Sequence, residues 1–121
     1  MTTILIVDDD THVLQNVREI LELENYDVLL VSDGLAGVIA ASQHHVDLVI
    51  CDVVMPVFDG FMVFQQLRSM PETQHIPILF ITGFKYNPIL KRIVKEGESH
   101  CLFKPFRAHE LLAAVSEALS S

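Results

Sequence analysis

Two patterns of hydrophobic and polar positions alternate along the chain. Five short runs are almost continuously apolar and rich in β-branched residues, which is typical of strands covered on both faces. Between these runs the apolar positions recur at helical spacing. The predicted strands are Ile4–Val7, Asp27–Val31, Val46–Asp52, Pro77–Thr82 and Ser99–Phe103. The chain is therefore predicted to alternate strictly between strands and helices.

One helix is predicted after each of the five strands. Asn25 suits a left-handed end for the first helix, and Gly97 is a stop signal for the fourth. In the second helix the apolar positions Leu35, Val38 and Ile39 are expected to share one side. The helices are predicted to begin near Val13, Gly34, Phe61, Pro88 and Arg107.

Strict alternation of buried strands with helices predicts an α/β fold with a parallel sheet between two helical layers. We expect a doubly wound, flavodoxin-like arrangement of five strands in the order 2-1-3-4-5, with five helices. The chain has 121 residues, half of them apolar, which is enough for one compact core. Residues 1–121 are therefore predicted to form one domain.

Charge and composition narrow the functional classes. The chain carries 16 acidic and 8 basic residues, a net charge of -8, and no basic cluster, which argues against direct nucleic-acid binding. No apolar run approaches the roughly 18 residues of a membrane helix, and the first residues do not resemble an export signal. Cys51 and Cys101 lie in strand-like runs and are predicted to be reduced packing residues. These features predict a soluble cytoplasmic protein.

Acidic residues follow two of the apolar runs directly. Asp8 and Asp9 come after the first strand, and Asp52 ends the third. In the order 2-1-3-4-5 these two strands are neighbours, so the three carboxylates should meet at the carboxyl edge of the sheet. Like charges that close need a compensating cation, and all-oxygen ligands favour Mg²⁺ or Mn²⁺. Asp10, one residue further on, is better suited to cap the first helix.

Thr82 and Lys104 end or follow the fourth and fifth strands at the same edge. A lysine and a hydroxyl beside a metal ion can stabilise the oxygens of a transferred phosphoryl group. A carboxylate in the same crevice could accept that group. The crevice is therefore predicted to handle a phosphate.

Taken together, these residues resemble the receiver domain of two-component response regulators, and the resemblance runs over the whole chain. It implies that Asp52 accepts a phosphoryl group from the phosphohistidine of a sensor histidine kinase or a phosphotransfer protein. The features that carry it, in order, are Asp8-Asp9, Asp52 in Asp-Val-Val-Met-Pro-Val-Phe-Asp-Gly, Thr82 and Lys104-Pro105.

The resemblance also implies the roles of the other site residues. Mg²⁺ would be bound by the side chains of Asp9 and Asp52 and by the carbonyl of Val54, with Asp8 acting through water. The side chain of Lys104 would contact the phosphoryl oxygens. In the activated state Thr82 would turn inward to hydrogen-bond them.

On this resemblance the protein is a switch rather than an enzyme, catalysing only its own phosphorylation and dephosphorylation. Its downstream partner would be an effector protein or a fused output domain. At two places the sequence departs from the usual receiver sequence, and both bear on how the domain signals to this downstream partner. Cys101 stands where the family usually has an aromatic switch residue, and residues 97–100 replace the usual small, apolar approach to the fifth strand.

Two other functions share part of this residue set. A receiver-like binding module that acts without phosphorylation should lack part of the acidic, hydroxyl and lysine set, and none is missing here. An aspartyl-phosphate-type phosphatase could use Asp8-Asp9-Asp10 as an Asp-x-Asp sequence, but such enzymes usually need a further domain to enclose the substrate. Two arrangements of the receiver fit the sequence equally: a free-standing protein, or a piece of a longer one.

Overall fold

The fold is a five-stranded parallel sheet with helices on both faces, seen in a computed structural model that describes residues 1–121. The strand order is β2-β1-β3-β4-β5, which confirms the predicted order 2-1-3-4-5 and the doubly wound α/β fold. The strands are β1 (Thr3–Val7), β2 (Asp27–Val31), β3 (Leu48–Asp52), β4 (Ile78–Thr82) and β5 (Cys101–Phe103).

The five predicted helices are all present. Helix α1 begins two residues before the predicted Val13, because the carboxylate of Asp10 accepts hydrogen bonds from the backbone N–H groups of His12 and Val13. The residue Asn25 has φ 64°, as expected for a left-handed helix end. The helices are α1 (Thr11–Leu23), α2 (Gly34–Gln43), α3 (Gly60–Ser69), α4 (Pro88–Lys95) and α5 (Ala108–Leu119).

The sheet is buried on both faces, which explains why its strands are almost continuously apolar. In β1, Leu5 and Val7 face the layer that contains α2, α3 and α4, whereas Ile4 and Ile6 face α1 and α5. All four side chains are 0% exposed. Burial of an aliphatic side chain of this size contributes about 1.5–3 kcal/mol, so each of these four residues adds substantially to the stability of the fold.

The inner side of α2 differs from the prediction. Leu35 and Ile39 are 53% and 46% exposed, and only Val38 of the three predicted residues is buried. The reason is close packing through glycine: a Cβ on Gly37 would lie 2.7 Å from Cγ2 of Val7. Because α2 packs against β1 through Gly37, the side chains of Leu35 and Ile39 point away from the sheet.

At the edge of the sheet where the strands begin, the guanidinium of Arg68 joins two loops. Its Nε donates to Oε1 of Glu98 at 2.8 Å, and its Nη1 donates to the carbonyls of Gln74 and Ile76 at 3.2 and 2.7 Å. The loop after α3 is thereby tied to the loop after α4. This contact lies at the end of the molecule opposite the carboxyl edge of the sheet.

Both cysteines are free, with Cys51 buried and Cys101 half-buried in their strands, as predicted. None of the five helices has the length and apolar character needed to cross a membrane.

Candidate functional site

Three carboxylates meet at the carboxyl edge of the sheet. Strands β1 and β3 pair in parallel with Val7 opposite Cys51, so Asp8 and Asp52 become neighbours at the strand ends. One carboxylate oxygen from each of Asp8, Asp9 and Asp52 lies within 4.8 Å of the other two. Asp8 is fully buried and Asp52 is 6% exposed, whereas Asp9 is exposed. The crevice thus combines two buried acids with one at its mouth.

Lys104 reaches into this cluster from the end of β5. Its Nζ lies 3.0 Å from Oδ2 of Asp8 and 3.6 Å from Oδ1 of Asp52. Burial lowers the pKa of Lys104, but the hydrogen bond to Asp8 and the charge of Asp52 outweigh it and raise that pKa above its ordinary value. The ammonium is therefore a fixed positive charge beside both carboxylates.

The surroundings of Asp52 oppose the ionisation of its carboxyl group. Burial and the charge of Asp8 raise the pKa of Asp52 to about 7, although Lys104 opposes this shift. Asp9 adds to the same repulsion. A divalent cation in the cluster would remove this penalty, because it would compensate the charges that raise the pKa.

Asp8 and Asp9 differ in how their oxygens are used. Oδ1 of Asp8 accepts from the backbone N–H of Asp10 at 2.9 Å, and Oδ2 accepts from Lys104. Both oxygens of Asp8 therefore already have protein partners, whereas the exposed carboxylate of Asp9 faces solvent. Asp10 stays outside the cluster, because its carboxylate caps α1.

The loop after Asp52 is folded back by close backbone contacts. The N–H of Gly60 donates to the carbonyl of Val53 at 2.8 Å, and a Cβ on Gly60 would lie 2.8 Å from the carbonyl oxygen of Asp52. Only glycine, which has no Cβ, fits where the backbone at Gly60 comes this close to the backbone at Asp52. Asp59, predicted as a turn residue, is the N-cap of α3. Val54, the predicted backbone ligand, lies in this loop with its side chain 41% exposed.

Thr82 ends β4 with its side chain almost completely buried, at 1% exposure. Its Oγ1 accepts from the backbone N–H of Phe84 at 3.1 Å and from Nδ2 of Asn87 at 3.4 Å. Oδ1 of Asn87 in turn accepts from the backbone N–H of Leu90 at 2.7 Å, which caps α4. The sequence predicted that the fourth helix begins near Pro88 but carried no signal for the contact of Asn87 with Thr82.

A separate groove of about 550 Å³ lies between the loop after β4, helix α4 and β5. Phe103 on β5 is 36% exposed at this groove, and Tyr86 in the loop is 98% exposed. Lys85 places its ammonium 5.6 Å from the centre of the Phe103 ring. The groove is thus aromatic and apolar with basic side chains, and it is separate from the acidic crevice.

The family model of the response regulator receiver domain matches residues 4–116. The chain is 37% identical over 119 residues to the DNA-binding dual master transcriptional regulator RpaA of Synechocystis, covering 98% of this chain and 49% of that protein. It thus spans about half the length of that relative.

Two solved structures of receiver domains are similar to this one. The chemotaxis protein CheY4 of Vibrio cholerae superposes with a TM-score of 0.89 at 31% identity, covering 98% of each chain. The receiver domain of the sensor histidine kinase PA1611 from Pseudomonas aeruginosa, with a magnesium ion coordinated in its active site cleft, gives a TM-score of 0.90 at 26% identity and covers 99% of this chain and 98% of its own. The sequence match and the shared fold agree: the chain belongs to the response regulator receiver domain family.

Proposed function

We propose that Asp52 accepts a phosphoryl group from the phosphohistidine of a sensor histidine kinase or a phosphotransfer protein, in a magnesium-dependent reaction. The observation that carries this proposal is the position of Asp52. Its nearly buried carboxylate ends the central strand, within 4.8 Å of two further carboxylates and 3.6 Å from the ammonium of Lys104. The family's general role as a phosphoacceptor agrees with it.

In the proposed transfer, one carboxylate oxygen of ionised Asp52 forms a bond to phosphorus while the phosphorus–nitrogen bond of the phosphohistidine breaks. The bonding electrons leave with the imidazole nitrogen. Lys104 stabilises the negative charge on the phosphoryl oxygens, since its ammonium already lies at the Asp52 carboxylate. The hydroxyl of Thr82 hydrogen-bonds a phosphoryl oxygen once the group is attached.

The donor set of the crevice fits Mg²⁺, because every candidate ligand is a hard oxygen. Magnesium would supply positive charge for the acidic cluster and for the phosphoryl oxygens. Asp9, Asp52 and the carbonyl of Val54 are the proposed direct ligands. Asp8 is proposed to act through water, since both of its oxygens already accept hydrogen bonds from the protein. The receiver domain of PA1611, which has a similar fold, holds a magnesium ion in its active site cleft, and this supports magnesium as the ion.

The proposed output surface is the groove between α4 and β5, where Phe103 and Tyr86 are exposed beside basic side chains. A downstream effector protein or a fused output domain would bind there.

On this proposal residues 1–121 act as one cytoplasmic receiver domain that catalyses only its own phosphorylation and dephosphorylation. The net charge of -8 supports a protein rather than nucleic acid as the direct partner of this domain.

The test is labelling with the small phosphodonor acetyl phosphate in the presence of Mg²⁺, read by intact-protein mass spectrometry. The wild type should gain one phosphoryl group, and Asp52→Asn should gain none. Asp59→Asn is the matched control, because it removes an acid from the same loop and asparagine caps helices as well as aspartate does. Equal labelling of Asp52→Asn and the wild type would show that the acceptor lies elsewhere. Absence of labelling in the wild type would favour a binding module that acts without phosphorylation.

A further inference from the structure

The side chain of Asn87 connects the Thr82 hydroxyl to the start of α4. Its Nδ2 donates to Oγ1 of Thr82 at 3.4 Å and to the carbonyl of Phe84 at 2.7 Å, while its Oδ1 accepts from the N–H of Leu90 at 2.7 Å. One planar amide group therefore contacts the end of β4, the loop after it and the first turn of α4.

We propose that Asn87 is a positioning residue: it holds the Thr82 hydroxyl in its resting orientation and transmits the movement of Thr82 to α4. This inference rests on the proposed function, because the movement is the turn of Thr82 toward a phosphoryl group on Asp52. It assigns to Asn87 a role beyond capping α4.

The hydrogen bonds of Thr82 explain why its resting orientation is specific. Its Oγ1 accepts two hydrogen bonds, from Phe84 and Asn87, and both donors lie on the loop after β4. Threonine side chains occupy discrete staggered rotamers, so a turn toward Asp52 moves Oγ1 in one step away from both donors. The resting rotamer is favoured by these two contacts and must lose them when the protein is activated.

The loss of the Thr82 contact changes the surroundings of the α4 cap. The amide of Asn87 is a rigid plane, so Nδ2 and Oδ1 cannot move independently. When Nδ2 loses Thr82 and adjusts to a new partner, Oδ1 shifts relative to the N–H of Leu90 that it caps. Helix α4 lines the groove proposed as the output surface, so the change reaches that surface directly.

Strand β5 offers a less effective route for the same signal. Cys101 lies beside Phe80 in the paired strands, and its thiol is too small to change much surface by moving. Asn87, in contrast, contacts Thr82 and α4 at once. The inferred route therefore runs through the loop after β4.

The test compares Asn87→Ser with the wild type. Serine caps helices well but is too short to reach both Leu90 and Thr82, so the cap is kept while the contact with Thr82 is lost. Asp33→Ser is the matched control, because Asp33 caps α2 through the N–H of Ala36 at 2.7 Å and has no contact with Thr82. Both variants should unfold at nearly the same denaturant concentration.

The first measurement is the rotamer of Thr82 from NMR scalar couplings in the metal-free, unphosphorylated protein. We expect one rotamer in the wild type and in Asp33→Ser, and averaging between rotamers in Asn87→Ser. A single unchanged rotamer in Asn87→Ser would overturn the inference. This measurement needs neither magnesium nor a phosphoryl group, so it decides the role of Asn87 separately from the proposed function.

The second measurement is the affinity for beryllofluoride, a mimic of the acyl phosphate, in the presence of Mg²⁺. Removing a hydrogen bond that activation must break should tighten mimic binding by roughly two- to tenfold in Asn87→Ser. The shift of the Leu90 amide signal on binding should also become smaller. An unchanged or weaker affinity contradicts the inference, whereas failure of the wild type itself to bind the mimic contradicts the proposed function.

Discussion

The ammonium of Lys104 lies 3.0 Å from the carboxylate of Asp8, although the two residues are 96 positions apart in the sequence. The lysine thus compensates part of the negative charge of the acidic cluster in the unphosphorylated protein. A cation that enters the crevice meets carboxylates that are already partly neutralised. We therefore expect magnesium to bind this protein weakly, with Asp9 as the direct carboxylate ligand that has no such partner.

Replacing Asp9 should weaken magnesium binding more than replacing Asp8. Asp9→Asn removes a proposed direct ligand, whereas Asp8→Asn removes a carboxylate proposed to act through water, for which losses of roughly tenfold are typical. Titration with Mg²⁺ followed by NMR or calorimetry measures both affinities. Asp10→Asn should bind as the wild type does, because asparagine preserves the cap of α1. A larger loss in Asp8→Asn than in Asp9→Asn would reverse the assigned ligand roles.

Asp52 should make the stability of the metal-free protein fall as the pH rises. Its folded-state pKa of about 7 lies above the ordinary value of 3.8, so the folded protein holds the proton more tightly than the unfolded chain. The contribution of the protonated carboxyl group to folding stability is fully present at pH values below the ordinary pKa of 3.8. It is lost as the pH rises to about 7. At about pH 8, Asp52→Asn should be more stable than the wild type without metal by up to ~4 kcal/mol, since one pKa unit corresponds to ~1.4 kcal/mol.

Chemical denaturation at several pH values measures this difference between Asp52→Asn and the wild type. The advantage of the variant should shrink toward zero near pH 4, where Asp52 is protonated in the wild type as well. Saturating Mg²⁺ should reduce or reverse the advantage, because it stabilises only the ionised site. A variant advantage that is independent of pH would show that the effect does not come from ionisation of Asp52.

The acyl phosphate on Asp52 should be long-lived. The side chains of Val54 and Phe84 lie in the two loops beside the crevice, are 41% and 64% exposed, and cannot orient an attacking water by hydrogen bonding. A polar partner for that water is worth ~1–3 kcal/mol, or roughly ten- to hundredfold in rate. The double variant Val54→Asn, Phe84→Glu should therefore lose its phosphoryl group faster, as followed by mass spectrometry at fixed Mg²⁺. Equal or slower decay in that variant would mean that another feature controls water access.

The Arg68 contact should contribute more stability than an ordinary surface ion pair. Arg68→Ala leaves Glu98, which is 16% exposed, without its partner and also removes two hydrogen bonds to carbonyls. The expected loss is about 1–3 kcal/mol, since the guanidinium is only partly screened by solvent. The control is Arg18→Ala, whose pair with Glu22 is exposed and should contribute at most ~0.5 kcal/mol. Equal losses of folding stability in the two variants, measured by urea denaturation, would contradict this prediction.

Two glycines should respond differently to alanine. A Cβ on Gly37 would lie 2.7 Å from Cγ2 of Val7, so Gly37→Ala should cost about 1–3 kcal/mol through overpacking against the sheet. A Cβ on Gly83 would have no atom within 4 Å, so Gly83→Ala should change stability by ~0.5 kcal/mol or less. Thermal unfolding of the two variants checks the prediction. A neutral Gly37→Ala would mean that α2 can move away from β1 at little cost.

The sequence alone determined the sheet and the place of the site. Runs such as Ile4–Val7 are too continuously apolar to be exposed on either face, so they must be central strands between helices. Parallel strands bring their carboxyl ends to one edge, and polar residues directly after the strands therefore converge there. This reasoning brought Asp8, Asp9 and Asp52 together, and the structure has them within 4.8 Å.

Only the tertiary structure decided which side chains contact one another. The pairing of Lys104 with Asp8, the contact of Asn87 with Thr82 and the outward turn of Leu35 have no signal in the local pattern. Apolar and polar spacing determines which face of an element is buried. Individual hydrogen bonds depend on rotamers and on distances between elements that are far apart in the chain, and small differences in packing, such as the approach permitted by Gly37, change both.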